Sequence, residues 1–138
     1  MPETSQQKTI LVTDDEKDFR EIVATKLKSA GFNVVEATNG EDAIKKAKEI
    51  RPDLLLLDVN MPGITGIETL TRIQSDPDLK ELRIVFLTNY GDPQKEAAWL
   101  DEKFAREIGA MDYIRKTDDL NKVVSQIHNL LMPPPANE

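Results

Sequence analysis

Five runs along the chain, residues 9–13, 33–37, 53–58, 83–88 and 111–115, are short, nearly continuous in apolar side chains and dominated by Val, Ile and Leu. A strand with one wet face alternates apolar and polar positions, whereas a strand covered on both faces reads as an unbroken apolar run. The runs therefore predict a buried parallel sheet. Between them the periodicity becomes helical. Phe19, Ile22, Val23, Leu27 and Ala30 form an apolar stripe that ends before Gly31, a residue suited to a helix terminus. A second helix is expected over residues 40–50, opened by Asn39 as N-cap and stopped by Pro52. A third begins at Thr65, with Glu68 in capping-box spacing, and runs to Gln74. Asp92 and Pro93 mark the start of a fourth, ended by Gly109, and Val123, Val124, Ile127, Leu130 and Leu131 share one side of a fifth.

Strand and helix alternating five times predict an α/β class protein: an open, doubly wound sheet with helices on both faces and right-handed crossovers. The length of 138 residues suits one domain, expected over residues 8–132, with a disordered tail at 1–7 and a proline-rich tail at 133–138. Hydrophobic residues make up 39% of the chain, enough for a core and too many for a disordered polymer. The chain has no cysteine, which excludes a disulfide framework, a thiolate zinc site and a cysteine nucleophile. A cytoplasmic location is the expectation, since Met1 to Lys8 holds no apolar signal core and no later run is long enough to cross a bilayer. Lys and Arg number 18 against 25 Asp and Glu, and a net charge of -7 without a basic cluster argues against direct contact with nucleic acid or an anionic membrane.

In sheets of this class ligands bind outside the carboxyl ends of the strands, where the strand order reverses. Four of the five expected strands carry reactive groups there: Asp14 and Asp15 after the first, Asp58 ending the third, Thr88 ending the fourth and Lys116 just past the fifth. Each alone has an ordinary explanation as a loop, cap or solvated residue. Together on one rim they are a chemical set. Three carboxylates about 5 Å apart would repel by roughly 3 kcal/mol per pair at an effective dielectric near 20, so the rim calls for a compensating cation. Mg²⁺, which takes carboxylate oxygens, carbonyls, waters and phosphate oxygens, suits it. With one carboxylate as nucleophile, Lys116 and the Thr88 hydroxyl could stabilise the oxygens of a phosphoryl group in transfer.

The segments Val12-Thr13-Asp14-Asp15-Glu16 and Asp58-Val59-Asn60-Met61-Pro62-Gly63, then Thr88, then Gly109-Ala110-Met111-Asp112-Tyr113-Ile114-Arg115-Lys116, come in an order that resembles the receiver domain of two-component response regulators. The resemblance spans roughly Lys8 to Met132. It implies a flavodoxin-like, CheY-like (βα)5 sheet in the order 2-1-3-4-5. Asp58 would accept a phosphoryl group from the phosphohistidine of a sensor histidine kinase or a histidine phosphotransfer protein. Asp15, Asp58 and the backbone carbonyl of Asn60 would hold Mg²⁺ directly, with Asp14 acting mainly through water. Lys116 would bridge the phosphoryl group, and Thr88 and Tyr113 would be the two members of a conformational switch. The resemblance further implies a downstream protein target on the surface of the fourth helix, fifth strand and fifth helix, and a monomer or a phosphorylation-dependent dimer. Such a domain is a switch in phosphorelay signalling and not an enzyme with substrate turnover.

This chain departs from the family pattern in three places. Asn89 and Tyr90 follow Thr88 where a small residue is usual, Thr117 replaces the proline after Lys116, and the stretch 89–108 is longer and richer in charge. A trans peptide is expected at Lys116–Thr117, because a cis bond to a non-proline residue costs about 2.5–4 kcal/mol. Two other readings share the architecture. A Mg²⁺-dependent aspartyl-nucleophile phosphohydrolase would place a second Asp as general acid two residues past the nucleophile, where Asn60 stands. A phosphorylation-independent binding module on the same scaffold would be marked by loss of a site residue, and none is missing. His128, the sole histidine, reads as solvated and favourably placed at a helix C-terminus. Trp99 divides evenly between core packing and a partner patch.

Overall fold

The computed structural model describes residues 7–59, 61–88 and 109–131. The expected fourth helix up to its terminal Gly109, Trp99, Asn60, Asn89, Tyr90, residues 1–6 and the C-terminal tail lie outside them. Five strands, β1 (Thr9–Thr13), β2 (Asn33–Ala37), β3 (Leu54–Asp58), β4 (Arg83–Thr88) and β5 (Asp112–Arg115), form one parallel sheet in the order β2-β1-β3-β4-β5. Helices α1 (Lys17–Ser29), α2 (Gly40–Ile50) and α3 (Gly66–Gln74) and a last helix, Leu120–Leu131, complete the described elements.

The unbroken apolar runs have the predicted cause. Every residue of β3 is buried, and alternate side chains enter two separate cores. Leu11, Leu55, Leu57, Ile84 and Phe86 pack under α2 and α3 through Ala43, Ala47, Leu70 and Ile73. Ile10, Val12, Leu54, Leu56, Val85 and Leu87 pack under α1 and the last helix through Val23, Leu27, Val123 and Ile127. Helices on both faces leave no wet side to the central strands β1, β3 and β4, so polar alternation has no place in them, whereas the edge strands β2 and β5 are only partly buried.

Local signals set the helix ends. Asn39 accepts a hydrogen bond from the Asp42 N–H at 2.8 Å, and Thr65 with Glu68 closes a full capping box. Arg51 ends α2 in the left-handed region (φ 50°) just ahead of Pro52, and Gly31 turns the chain after α1 at φ 101°.

Some expectations need correction. Ile22 is 53% exposed, and Ala30 lies past the helix end, so neither belongs to the buried stripe of α1. The packed line is Phe19, Val23 and Leu27, four residues apart, and Ile22 sits about 100° around the helix from Val23. β3 begins at Leu54 and not at Asp53, whose carboxylate instead accepts the Thr9 N–H at 2.8 Å and locks the strand entry. β5 begins at Asp112, with Met111 left 37% exposed. His128 is exposed in the last turn of its helix, as expected. No peptide bond among the described residues is cis, Lys116–Thr117 included.

Candidate functional site

The parallel register aligns the carboxyl ends of β1, β3, β4 and β5 along one edge. Thr13 lies beside Leu57, Asp58 beside Leu87, and Thr88 beside Arg115. The backbone continues the ladder past the strands: Asp14 N–H donates to Ala37 O, Val59 N–H to Leu87 O, and Lys116 N–H to Thr88 O. Asp14, Asp58, Thr88 and Lys116 are thereby fixed by main-chain geometry before any side chain interacts.

The side chains converge. Lys116 Nζ lies 2.7 Å from Asp14 Oδ2, 3.3 Å from Asp58 Oδ2 and 3.2 Å from Glu16 Oε1. It also sits 5.0 Å above the centre of the Phe19 ring, within cation–π range. Asp14, Asp58 and Thr88 are buried, whereas Asp15 is exposed at the mouth. Burial pushes the Asp14 carboxyl above its usual 3.8, an effect that Lys116 and the Glu16 N–H offset only in part. For Lys116, burial acts downward, but the charges of Asp58 and Asp14 outweigh it and hold the ammonium above its usual 10.5.

Asp14, Asp15 and Asp58 each offer a carboxylate oxygen, and these atoms all lie within 4.8 Å of one another. Asp14 Oδ2 is buried, and its partner is the Lys116 ammonium at 2.7 Å. Hard carboxylate donors at this spacing fit a small divalent cation such as Mg²⁺. Tyr113 is half-buried on the α2/α3 side of the sheet, beside Phe86 and on the same face as Thr88.

Four residues at the rim were not given a role from sequence. Glu16 and Phe19 hold Lys116. Arg20 Nη1 donates to the Asp14 carbonyl at 2.9 Å while its Nε pairs with Glu36 at 2.8 Å, tying the acidic loop to β2. Gly66 donates its N–H to Val59 O at 2.8 Å, and a Cβ there would overlap the Asp58 carbonyl oxygen. The adjacency of Glu16 to the acidic pair was a usable signal; Arg20 and Gly66 lie only six to eight residues from the groups they hold, but their contacts depend on how the chain turns into α1 and α3, which hydrophobic spacing does not reveal.

A doubly wound parallel sheet whose strand ends gather three carboxylates and an ammonium on one rim defines the α/β class to which this protein belongs. The family model for the response regulator receiver domain matches residues 10–128, and the chain belongs to that family. It is 36% identical over 124 residues to the phosphate regulon transcriptional regulatory protein PhoB of Pseudomonas aeruginosa, covering 90% of this chain and 52% of that protein. It is 31% identical over 124 residues to the alkaline phosphatase synthesis transcriptional regulatory protein PhoP of Bacillus subtilis, covering 90% and 48%. The chain thus spans about half the length of the curated relatives it matches. Among solved structures, a putative response regulator from Chloroflexus aurantiacus superposes with a TM-score of 0.79 at 32% identity, covering 91% of this chain and 98% of that one. The response regulator TrrA of Thermotoga maritima, in complex with Mg(2+)-BeF, gives 0.72 at 32% identity, covering 91% and 100%. The protein is a receiver domain with the CheY-like, flavodoxin-like order of strands.

Proposed function

We propose that Asp58 is the phosphoacceptor of this domain and that its donor is a phosphohistidine on a sensor histidine kinase or a histidine phosphotransfer protein. The observation that carries this reading is Lys116 Nζ standing between the buried carboxylates of Asp58 and Asp14, with Thr88 closing the neighbouring strand. A buried carboxylate flanked by an ammonium is ready to receive an anionic group whose oxygens the ammonium can share. An Asp58 oxygen forms the new P–O bond as the P–N bond of the donor imidazole breaks, and the departing ring keeps the bonding pair and takes a proton from solvent. Lys116 and the Thr88 hydroxyl then hold phosphoryl oxygens.

Asp15, Asp58 and the carbonyl of Asn60 would hold Mg²⁺ directly and Asp14 through water. When bound, the ion offsets the charge that carboxylates and phosphoryl oxygens bring together. The domain works as a switch without turnover of a separate substrate, in the cytoplasm, as a monomer or a phosphorylation-dependent dimer. It signals to a protein target through the surface that includes β5 and the last helix, and does not itself bind nucleic acid or membrane. No described helix is long and apolar enough to cross a membrane. Residues 1–7 and 133–138 are tails on a domain spanning 8–132.

Incubation with acetyl phosphate and Mg²⁺ should add one alkali-labile phosphoryl group, seen by intact mass, and Asp58→Asn should abolish it. Undiminished labelling of that variant, mapped away from neighbouring acids and hydroxyls, would sink the assignment.

A further inference from the structure

We infer that Glu16 is a positioning residue that occupies Lys116 in the unmodified domain and must release it when an anionic group arrives on Asp58. The inference rests on the phosphoacceptor reading above.

An ammonium has three N–H donors, and Lys116 Nζ has three carboxylates about it among the described residues, at 2.7, 3.2 and 3.3 Å. An arriving phosphoryl oxygen therefore competes with a contact already made. Two of the three carboxylates are poor candidates to leave. Asp58 is 2% exposed and is the attachment point itself, and Asp14 is fully buried with its Oδ1 accepting the Glu16 N–H at 2.9 Å. Glu16 differs. Its side chain is 57% exposed, and a cavity of about 470 Å³ lined by Glu16, Lys17, Asp18 and Phe19 gives it room to swing away.

The local structure of α1 points the same way. Glu16 is the N-cap residue of that helix, a position where a short polar side chain normally accepts a hydrogen bond from the first turn. Here no side-chain cap is made, and the Glu16 carboxylate accepts a hydrogen bond from Lys116 Nζ instead, across 100 residues of sequence. With the ammonium resting on the Phe19 ring at 5.0 Å, the lysine keeps its place while its anionic partner changes. Glu16 thus acts on the modified state through Lys116, lowering the net gain when Lys116 turns to a phosphoryl group and so limiting how strongly that state is favoured.

The test is a titration of the full chain with beryllofluoride in saturating Mg²⁺, followed through backbone amide shifts at Thr88 and Lys116, for wild type, Glu16→Gln and Glu16→Asp. Exposed ion pairs are worth little, so loss of the competing contact should tighten the apparent affinity of Glu16→Gln about two- to fivefold. Glu16→Asp keeps the charge but is one methylene too short to hold the ammonium, and should tighten binding as Glu16→Gln does. If Glu16→Asp binds like wild type while Glu16→Gln binds tighter, the effect is long-range charge and the inference fails. Unchanged or weaker binding by Glu16→Gln also overturns it. Wild-type protein that shows no response to beryllofluoride would instead overturn the phosphoacceptor reading, and this inference with it.

Discussion

At the scale of single residues, Asp14 is the most constrained group in the site. It is buried at the end of β1, its carbonyl is held by Arg20, and its carboxyl is pushed above the ordinary value by burial. A carboxyl whose folded value is raised binds its proton more readily in the folded state than in the unfolded chain. Its contribution to stability therefore falls as pH rises from the unfolded value near 3.8 through the raised folded value. Without Mg²⁺, Asp14→Asn should raise the melting temperature at neutral pH by about 3 °C, the size expected for removing roughly 1 kcal/mol of burial penalty. The gain should shrink as the pH is lowered toward 3.8, because the wild-type carboxyl then becomes neutral as well. Thermal melts of both proteins across that range check it, and a gain that grows on acidification would contradict the direction given for Asp14.

At the scale of elements, the link between β3 and α3 shows how a helix can fix the main chain of Asp58 by close backbone approach. The turn after Asp58 brings α3 back so tightly that Gly66 lies against the main chain of Asp58 and Val59, where a Cβ would come within 2.8 Å of Val59 Cα. Its neighbour Thr65 caps the same helix by an ordinary local device. The two residues should separate in experiment. Thr65→Ala should cost about 1 kcal/mol and leave the site intact. Gly66→Ala should cost about 1–3 kcal/mol, because backbone and not a flexible side chain must move, and should also slow acetyl phosphate labelling of Asp58. Equal labelling rates for the two variants, corrected for folded fraction, would show that the close approach serves packing alone.

At the scale of the whole molecule, the sheet places Thr88 and Tyr113 on one face, with Tyr113 beside Phe86, two residues before Thr88 on β4. On the phosphoacceptor reading proposed above, a phosphoryl group drawing the Thr88 hydroxyl toward Asp58 would open space toward which the half-buried Tyr113 ring could turn. Beyond it lies a polar groove of about 350 Å³ lined by Asp112, Tyr113, Arg115, Asp118, Lys122 and Gln126. Gln126 Nε2 donates to the Tyr113 carbonyl at 3.3 Å, which joins the last helix to β5. Beryllofluoride with Mg²⁺ should shift amide signals along β5 and the last helix. Thr88→Ala should lose most of those remote shifts while the signals around Asp14 and Asp58 still respond. A complete turn from 1:99 to 99:1 needs about 5.5 kcal/mol of preference, so a partial shift is expected. Remote shifts of wild-type size in Thr88→Ala would exclude this route.

Much of this protein was legible in its sequence, and for physical reasons. Strands buried on both faces must be largely apolar, so β1, β3 and β4 appear as runs, while the edge strands β2 and β5 are only partly buried and carry polar residues; caps such as Asn39 and Thr65 act within four residues of chain. Asp14, Asp15, Asp58, Thr88 and Lys116 stood out because parallel strands gather their carboxyl ends on one edge, so position at a strand end already implies proximity. Tertiary structure alone decided the rest. Ile22 and Phe19 are both apolar residues of α1, but only the packing of that helix sends Phe19 under the lysine and leaves Ile22 in water. Burial, not composition, makes Asp14 hard to ionise and leaves its outer oxygen to the lysine. The hold of Glu16 on Lys116 joins segments 100 residues apart, and those of Arg20 on the Asp14 carbonyl and of Gly66 on Asp58 depend on how tightly the chain turns; hydrophobic pattern carries no record of such ångström-scale approaches.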